Sequence, residues 1–320
     1  MSEKIAIGVL AYNVERYIEN VVKELSELGQ NIFIINDAST DNTRTILNQL
    51  KQNHNFQIID NKTNQGAGES LKKLINYLSA ENYDFLIKVD GDGQFMVNDV
   101  EKIIKIYQQN DYEYIKANRF WNAGIIGKIP KKRLFGNLFA TLVMQFTLGT
   151  NKLYDPLNGL FGVSLKITKF INTKSYPKRY GYPFYITLCC VVNNFKTFQI
   201  NNTIIYSDQN SNLNPLKVLF TISKLCISFY FEKIRLKKMI GRTQRSAFLD
   251  KLFLFSLLFL IVFIGILFRT VVFGRLNLFT PTTNILIIGF LFIITIFTFT
   301  LAFREESAFR KIQISNEEKY

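Results

Sequence analysis

Apolar and polar positions alternate in two rhythms along the first 120 residues of this 320-residue chain. Short, mostly apolar runs at 5–10, 32–35, 56–59 and 85–89 have the length and composition of buried strands. Between the first two runs, Val14, Tyr17, Ile18, Val21, Val22, Leu25 and Leu28 recur at helical spacing. Asn13 is the expected N-cap of that helix and Gly29 its stop. The same reading predicts helices over about 41–51, 67–79 and 98–109, and a strand at 113–117. Strands that alternate with helices and are apolar throughout predict an α/β fold, with a mostly parallel sheet covered on both faces. Ligands of such sheets bind beyond the carboxyl ends of the strands, so the turns after the first, second and fourth strands are where chemistry is expected.

From about 120 to 212 the pattern is less regular, with a basic loop, a helix over 134–148 and the turn sequence Asp155-Pro156-Leu157-Asn158-Gly159. Residues 216–250 mix apolar and basic positions, as an amphipathic helix at a membrane surface does; packing on a soluble domain is the alternative. Two long apolar stretches follow, 252–274 and 276–303, and Arg275 to Thr283, with Pro281 and one charge, is expected to turn as a tight hairpin between the two spans. A membrane span needs about 20 apolar residues. The predicted organisation is a catalytic domain over 1–212, basic juxtamembrane helices over 213–251, spans at 252–274 and 283–303, and a tail over 304–320. Basic residues crowd before the first span, and Arg304, Arg310 and Lys311 follow the second, which places both ends in the cytoplasm.

The formal charge of +14 narrows the partners. Nine basic residues face two acidic ones between 213 and 251, so the charge abuts a span rather than aromatic stacking residues. That favours an acidic membrane face or phosphorylated substrates over nucleic acid. Three cysteines without paired spacing argue against a disulfide framework or a zinc site. A single histidine, His54, argues against a Ser-His-Asp site. The apolar run at 5–11 is too short for a secretory signal.

The candidate chemistry sits in the expected turns. Asp90-Gly91-Asp92-Gly93-Gln94 ends the fourth strand with two carboxylates one residue apart. Such a hard-oxygen pair suits Mg²⁺ or Mn²⁺ bridging to phosphates, although Asp-Gly is also a common turn dipeptide. Asp37, at the end of the second strand, is placed to accept from a nucleotide's base or ribose; Ser39 or Asp41 can cap the next helix. Asn64-Gln65-Gly66-Ala67-Gly68 opens the third helix, either as an anion-facing helix terminus or as a plain loop and cap.

Taken in order, Ala11-Tyr12-Asn13, the segment Asn36 to Thr43, Asn64-Gln65-Gly66 and Asp90 to Gln94 resemble a family 2 glycosyltransferase of GT-A fold. Within it, the chain is similar to the dolichyl-phosphate mannose synthase-like branch, and the two C-terminal spans match its polyprenyl-phosphate glycosyltransferases. The resemblance implies that Leu10, Tyr12, Asn13, Asp37, Asp90, Gly91 and Arg119 contact the nucleotide sugar. It implies that Asp90, Asp92 and Gln94 hold the metal, with Asp92, Arg133 and Asp155 in the catalytic set. Arg133 matches a basic residue expected near phosphates, and Asp155 an acidic residue on the acceptor side, a candidate base. The chain departs from the pattern in three places. Asn36 stands where the family has Asp, Val14 where it often has an acid, and 207–214 lacks the basic residues found before the membrane-proximal helices.

The expected activity is inverting transfer of one sugar from a nucleotide-diphosphate sugar to a membrane polyprenyl phosphate. The alternatives are transfer to a hydroxyl of a lipid-linked glycan and a non-catalytic nucleotide-binding scaffold. The expected partners are the donor, the lipid-linked acceptor and membrane lipid. A homo-oligomer is left open.

Overall fold

The computed structural model describes residues 3–120, 131–171, 175–203, 215–239, 244–273, 281–309 and 312–314. Strand β1 (Ile5–Ala11) is buried at all seven positions. It lies in parallel between β2 (Asn31–Asn36) and β4 (Phe85–Asp90), and β3 (Phe56–Asp60) pairs in parallel outside β2. The chain therefore builds outwards from β1 on one side and then crosses to its other side. That reversal opens a crevice at the carboxyl ends of β1 and β4.

Four further strands extend the sheet: β5 (Tyr114–Asn118), β6 (Phe161–Ser164), β7 (Thr197–Asn201) and β8 (Ile312–Ile314). Among the described residues the sheet has eight strands in the order β3-β2-β1-β4-β6-β5-β7-β8. Only β6 runs against its neighbours, antiparallel to β4 and β5. The predicted α/β class and mostly parallel sheet are what the chain forms.

Helices α1 (Ile18–Ser26), α2 (Thr43–Leu50), α3 (Ala67–Ala80) and α4 (Val97–Gln109) cover this sheet. Ile7 and Val9 join Ile18, Val22, Leu47 and Ile103 in one buried cluster, so α1, α2 and α4 share a face. Helix α3 takes the other: a Cβ on Gly8, the intervening β1 position, would lie 2.4 Å from Leu74 Cδ2. Helix α1 starts four residues later than expected. Asn13 sits at φ 53°, and Tyr17 and Ile18 both donate to the Val14 carbonyl, at 2.9 and 3.0 Å. Asn13 does not cap α1, because its side chain is engaged elsewhere.

The later helices are α5 (Lys131–Leu148), α6 (Tyr182–Val192), α7 (Pro215–Met239), α8 (Gln244–Phe273) and α9 (Pro281–Phe309). All eleven residues of α6 are buried. The described residues form two compact units. One holds the chain up to Thr147, Lys152–Phe229 and β8; the other holds Leu148–Asn151 and Tyr230 onwards through α9.

In the second unit α8 packs along α9. Phe253 meets Phe299 with ring centres 5.3 Å apart, and the Ser256 and Thr298 hydroxyls lie 3.1 Å apart. Phe248–Gly265 and Leu286–Ser307 are long and apolar enough to cross a membrane. Only 28% and 17% of those two stretches is buried, far less than a soluble core helix requires. Helix α8 runs unbroken from Gln244 through the expected boundary at 251–252 into the first apolar stretch. Of the residues expected to be a tail, 304–309 continue α9 and Ile312–Ile314 form β8. Of the hairpin expected at 275–283, residues 281–283 instead begin α9, while 275–280 and the departing segment at 207–214 lie outside the described residues.

Candidate active site

The register of β1 and β4 sets Leu10 opposite Asp90, and the Gly91 N–H donates to the Leu10 carbonyl at 2.9 Å. On the other side of β1, the Asp37 N–H donates to the Ala11 carbonyl at 2.9 Å. Three strand ends thus open into one cleft of about 650 Å³. Leu10, Tyr12, Asn13, Asp37, Asp90, Gly91 and Asp92 all line it. These are seven of the residues singled out from the sequence, contributed by three separate turns. Arg119, Asp155 and Gln94 are not on its wall. Arg133 lies on α5, and its side chain is outside the described residues.

Asp37 is only 4% exposed. Its Oδ1 accepts from Asn61 Nδ2 (2.7 Å) and the Gln65 N–H (2.9 Å), and its Oδ2 from the Gly66 N–H (2.7 Å). The anion at the start of α3 is therefore the protein's own carboxylate. Asp37 fixes the Asn64–Gly68 turn while one edge of it stays on the cleft wall.

Asn13 joins two turns. Its Oδ1 accepts from the Thr40 N–H (2.8 Å), its Nδ2 donates to Thr40 Oγ1 (3.2 Å), and its own N–H donates to Ser39 Oγ (3.1 Å). Beside it, the Val14 N–H donates to Thr43 Oγ1 (2.9 Å) and the Glu15 N–H to Asp41 Oδ2 (3.1 Å). Asp41 also accepts from the Thr43 N–H at 3.0 Å, so it does serve the start of α2, whereas Ser39 serves Asn13. Val14 is buried and belongs to the apolar core, and the acid one position later, Glu15, takes the Asn42 N–H at 2.9 Å. Asn36 Nδ2 donates to Asp60 Oδ1 at 2.9 Å. An aspartate at 36 would set two carboxylates against each other, so Asn36 is matched to its neighbour.

Asp90 and Asp92 face the cleft as a crowded acidic pair. Burial, and then the charge of Asp90, pushes the Asp92 carboxyl up to about 6. Lys88, wholly buried beneath, places Nζ 2.5 Å from Asp90 Oδ1 and 5.1 Å from the Tyr182 ring centre. Burial lowers the pKa of that ammonium, against the pull of Asp90. Gly159 lets the loop before β6 close on this pair: a Cβ there would stand 2.5 Å from Asp90 Oδ2. Among the described residues no third acidic, His or Cys side chain joins the pair. Two crowded carboxylates without a third fit Mg²⁺ or Mn²⁺ held partly by substrate phosphates and water. Gln94 contributes its backbone N–H to Asp92 Oδ1 (3.2 Å).

Asp155 lies apart, fully buried at φ 51°. Arg119 donates to it through Nε (2.7 Å), Nη2 (2.6 Å) and its backbone N–H (3.0 Å), and Asn158 Nδ2 adds a fourth bond at 3.1 Å. Burial acts to raise its pKa, but Arg119 prevails and holds the carboxyl below the usual range. Four donors converge on Asp155, and it clamps Arg119. Lys116, buried nearby, is pushed down to about 7 by burial.

Arg16, Arg179 and Tyr180 also line the cleft, and none was singled out from the sequence. Arg179 arrives from the loop before α6, which no local pattern ties to β1. Asn61, the partner of Asp37, had no signal beyond its place after β3.

Residues 6–168 match the family model for Glycosyl transferase family 2. A UDP-N-acetylglucosamine–dolichyl-phosphate N-acetylglucosaminyltransferase of Methanococcus voltae is 29% identical over 195 residues, 56% of this chain and 77% of that protein. An uncharacterized protein of Methanocaldococcus jannaschii is 24% identical over 226 residues, 69% of this chain and 96% of its own. Among solved structures, the fold matches glucosyl-3-phosphoglycerate synthase from Mycobacterium tuberculosis in complex with Mn²⁺, UDP-glucose and phosphoglyceric acid. The TM-score is 0.53 at 15% identity, over 70% of this chain and 80% of that one, a likeness of GT-A fold. The family model spans more than half of the chain, and this protein belongs to glycosyltransferase family 2.

Proposed function

We propose that this protein moves a single sugar from a nucleotide-diphosphate sugar to a polyprenyl phosphate in the membrane, with inversion at the anomeric carbon. One observation carries the reading: Tyr12, Asp37, Asp90 and Asp92 converge on one cleft at the carboxyl ends of β1, β2 and β4. The cleft is large enough for a nucleotide sugar, and its two ends differ in chemistry as the donor's two ends do. Tyr12 and Asp37 take the nucleoside. Asp90 and Asp92 hold a divalent cation, which supplies neutralising charge to the diphosphate leaving group.

The bonds of Asp155 support a phosphate acceptor. A hydroxyl acceptor has to lose a proton as it attacks and calls for a base. Asp155, the candidate base, is engaged by Arg119 and Asn158. A lipid phosphate is already ionised and needs positioning instead. The two apolar helices and the dolichyl-phosphate relative from Methanococcus voltae support the same choice. Basic residues before α8's apolar stretch and after α9's support a cytoplasmic catalytic unit.

Asn36 is no sign of a degenerate, non-catalytic fold, because Asp60 accounts for it. The test is a panel of nucleotide sugars offered to purified protein with a short polyprenyl phosphate and Mn²⁺. The expected product is a sugar phosphate that mild acid cleaves. An acid-stable glycoside on a glycan would replace the phosphate acceptor with a hydroxyl. Nucleotide binding without transfer to either acceptor would replace the enzyme with the scaffold. Asp92→Ala is expected to abolish metal-dependent transfer; unchanged turnover would remove Asp92 from the metal site.

A further inference from the structure

The loop before α6 lies on the start of α3. A Cβ on Gly68 would stand 2.0 Å from the Pro177 carbonyl oxygen, and one on Gly66 would stand 2.5 Å from Arg179 Cγ and 2.8 Å from the Lys178 oxygen. The Glu69 N–H, one of the α3 donors left without a helical partner, donates to that Lys178 oxygen at 2.8 Å. The two glycines of the Asn64–Gly68 turn therefore admit a second backbone rather than an anion. What this contact achieves is the placement of Arg179 and Tyr180 on the wall of the cleft that the β1 turn with Tyr12 also lines.

Arg179 is exposed, and among the described residues no carboxylate pairs with it. The acids that share the cleft are otherwise engaged: Asp37 by Asn61 and two backbone N–H groups, Asp41, Glu15 and Asp92 by backbone N–H groups, and Asp90 by Lys88. A guanidinium held at the rim of an acid-lined cleft, with no protein anion to meet, is suited to an anion that the ligand brings.

We propose that Arg179 is a donor-binding residue whose guanidinium meets the diphosphate of the nucleotide sugar, and that Gly66 and Gly68 place it there. The inference rests on the nucleotide-sugar reading of the cleft and extends it to a loop far away in sequence. A lipid phosphate could offer Arg179 the same chemistry. The donor is the choice because the rest of the cleft is lined by the turns after β1, β2 and β4 and by the start of α3, the same residues that the nucleotide-sugar reading uses.

Calorimetric titration of the full-length protein in detergent with Mn²⁺ and the nucleoside, nucleoside monophosphate and nucleoside diphosphate of its donor tests this. Arg179→Ala is expected to weaken the diphosphate about tenfold and the nucleoside hardly at all, with Arg179→Lys in between. Gly68→Ala, which leaves Arg179 in the chain but displaces its loop, is expected to reproduce the loss. In turnover assays the KM for the nucleotide sugar is expected to rise while that for the polyprenyl phosphate stays put. Equal diphosphate affinity in wild type and Arg179→Ala would overturn the inference and leave the cleft's function standing. A rise confined to the acceptor's KM would overturn it in favour of the lipid phosphate. Wild-type protein that binds no nucleotide at all would overturn both.

Discussion

At the scale of single residues, the polar side chains around the cleft are chosen against one another. Asn36 is buried, donates to Asp60 and accepts from the Ser39 N–H at 3.1 Å. Asn36→Asp is expected to cost about 1–3 kcal/mol, the order of a buried polar contact turned repulsive. Combining it with Asp60→Asn is expected to recover much of that loss in thermal unfolding, and a strictly additive double variant would show that the pair is not coupled. Lys116 offers a pH test. Burial holds its folded pKa at about 7 against an ordinary 10.5. Below pH 7 both folded and unfolded chains carry the charge, and folding bears the full cost of burying it. Between pH 7 and 10.5 only the unfolded chain holds the proton, so this contribution to stability improves as pH rises. Lys116→Met is therefore expected to raise the melting temperature most near pH 6, with the gain shrinking towards pH 9.5. A gain independent of pH would mean that Lys116 keeps its proton in the folded protein just as it does in the unfolded chain. The acidic pair was legible because two carboxylates close an apolar strand, a contrast that local sequence carries in full. Arg179 was not, because its place depends on the absence of side chains at Gly66 and Gly68, a hundred residues earlier.

At the scale of elements, the turns after β1 and β2 behave as one object. Asn13, Ser39, Thr40, Asp41 and Thr43 exchange bonds across them, so Tyr12 and Asp37 share a common support. Asn13 stands at φ 53°, a left-handed backbone that costs an alanine about 1–2 kcal/mol. Asn13→Gly loses the side-chain bonds alone, whereas Asn13→Ala loses them and adds the backbone strain. Alanine is thus expected to be the more destabilising of the two by about 1 kcal/mol, read from chemical unfolding, and equal effects would argue that the left-handed turn relaxes. Strands β1 to β5 and helices α2 to α4 could be read from periodicity because each buries a single rhythm. The start of α1 could not, since Val14 and Tyr17 fit a helical face whether or not their backbone is helical. Strand β6 was hidden for a different reason: its four residues are buried on both faces, and nothing in so short a run marks its reversed direction.

At the scale of the whole molecule, α8 and α9 are expected to behave as an integral membrane hairpin. Alkaline carbonate washing of membranes should leave the protein in the pellet, while release into the supernatant would assign the two helices to a soluble core. The apolar stretches themselves were plain in the sequence, because length and lack of charge are all that such helices need. What followed them was not. Three residues, Ile312–Ile314, return to the sheet and pair in parallel with β7, Thr197 with Ile312 and Gln199 with Ile314. That pairing imposes a parity. A strand cannot hydrogen-bond to a sheet on the opposite side of a bilayer, so between Asn201 and Ile312 the chain must cross an even number of times. The charge bias of the flanks reaches the same answer from composition; β8 reaches it from backbone geometry. A hairpin forced to insert only one of its helices would have to give up a strand, and the sheet edge at β7 would record the error.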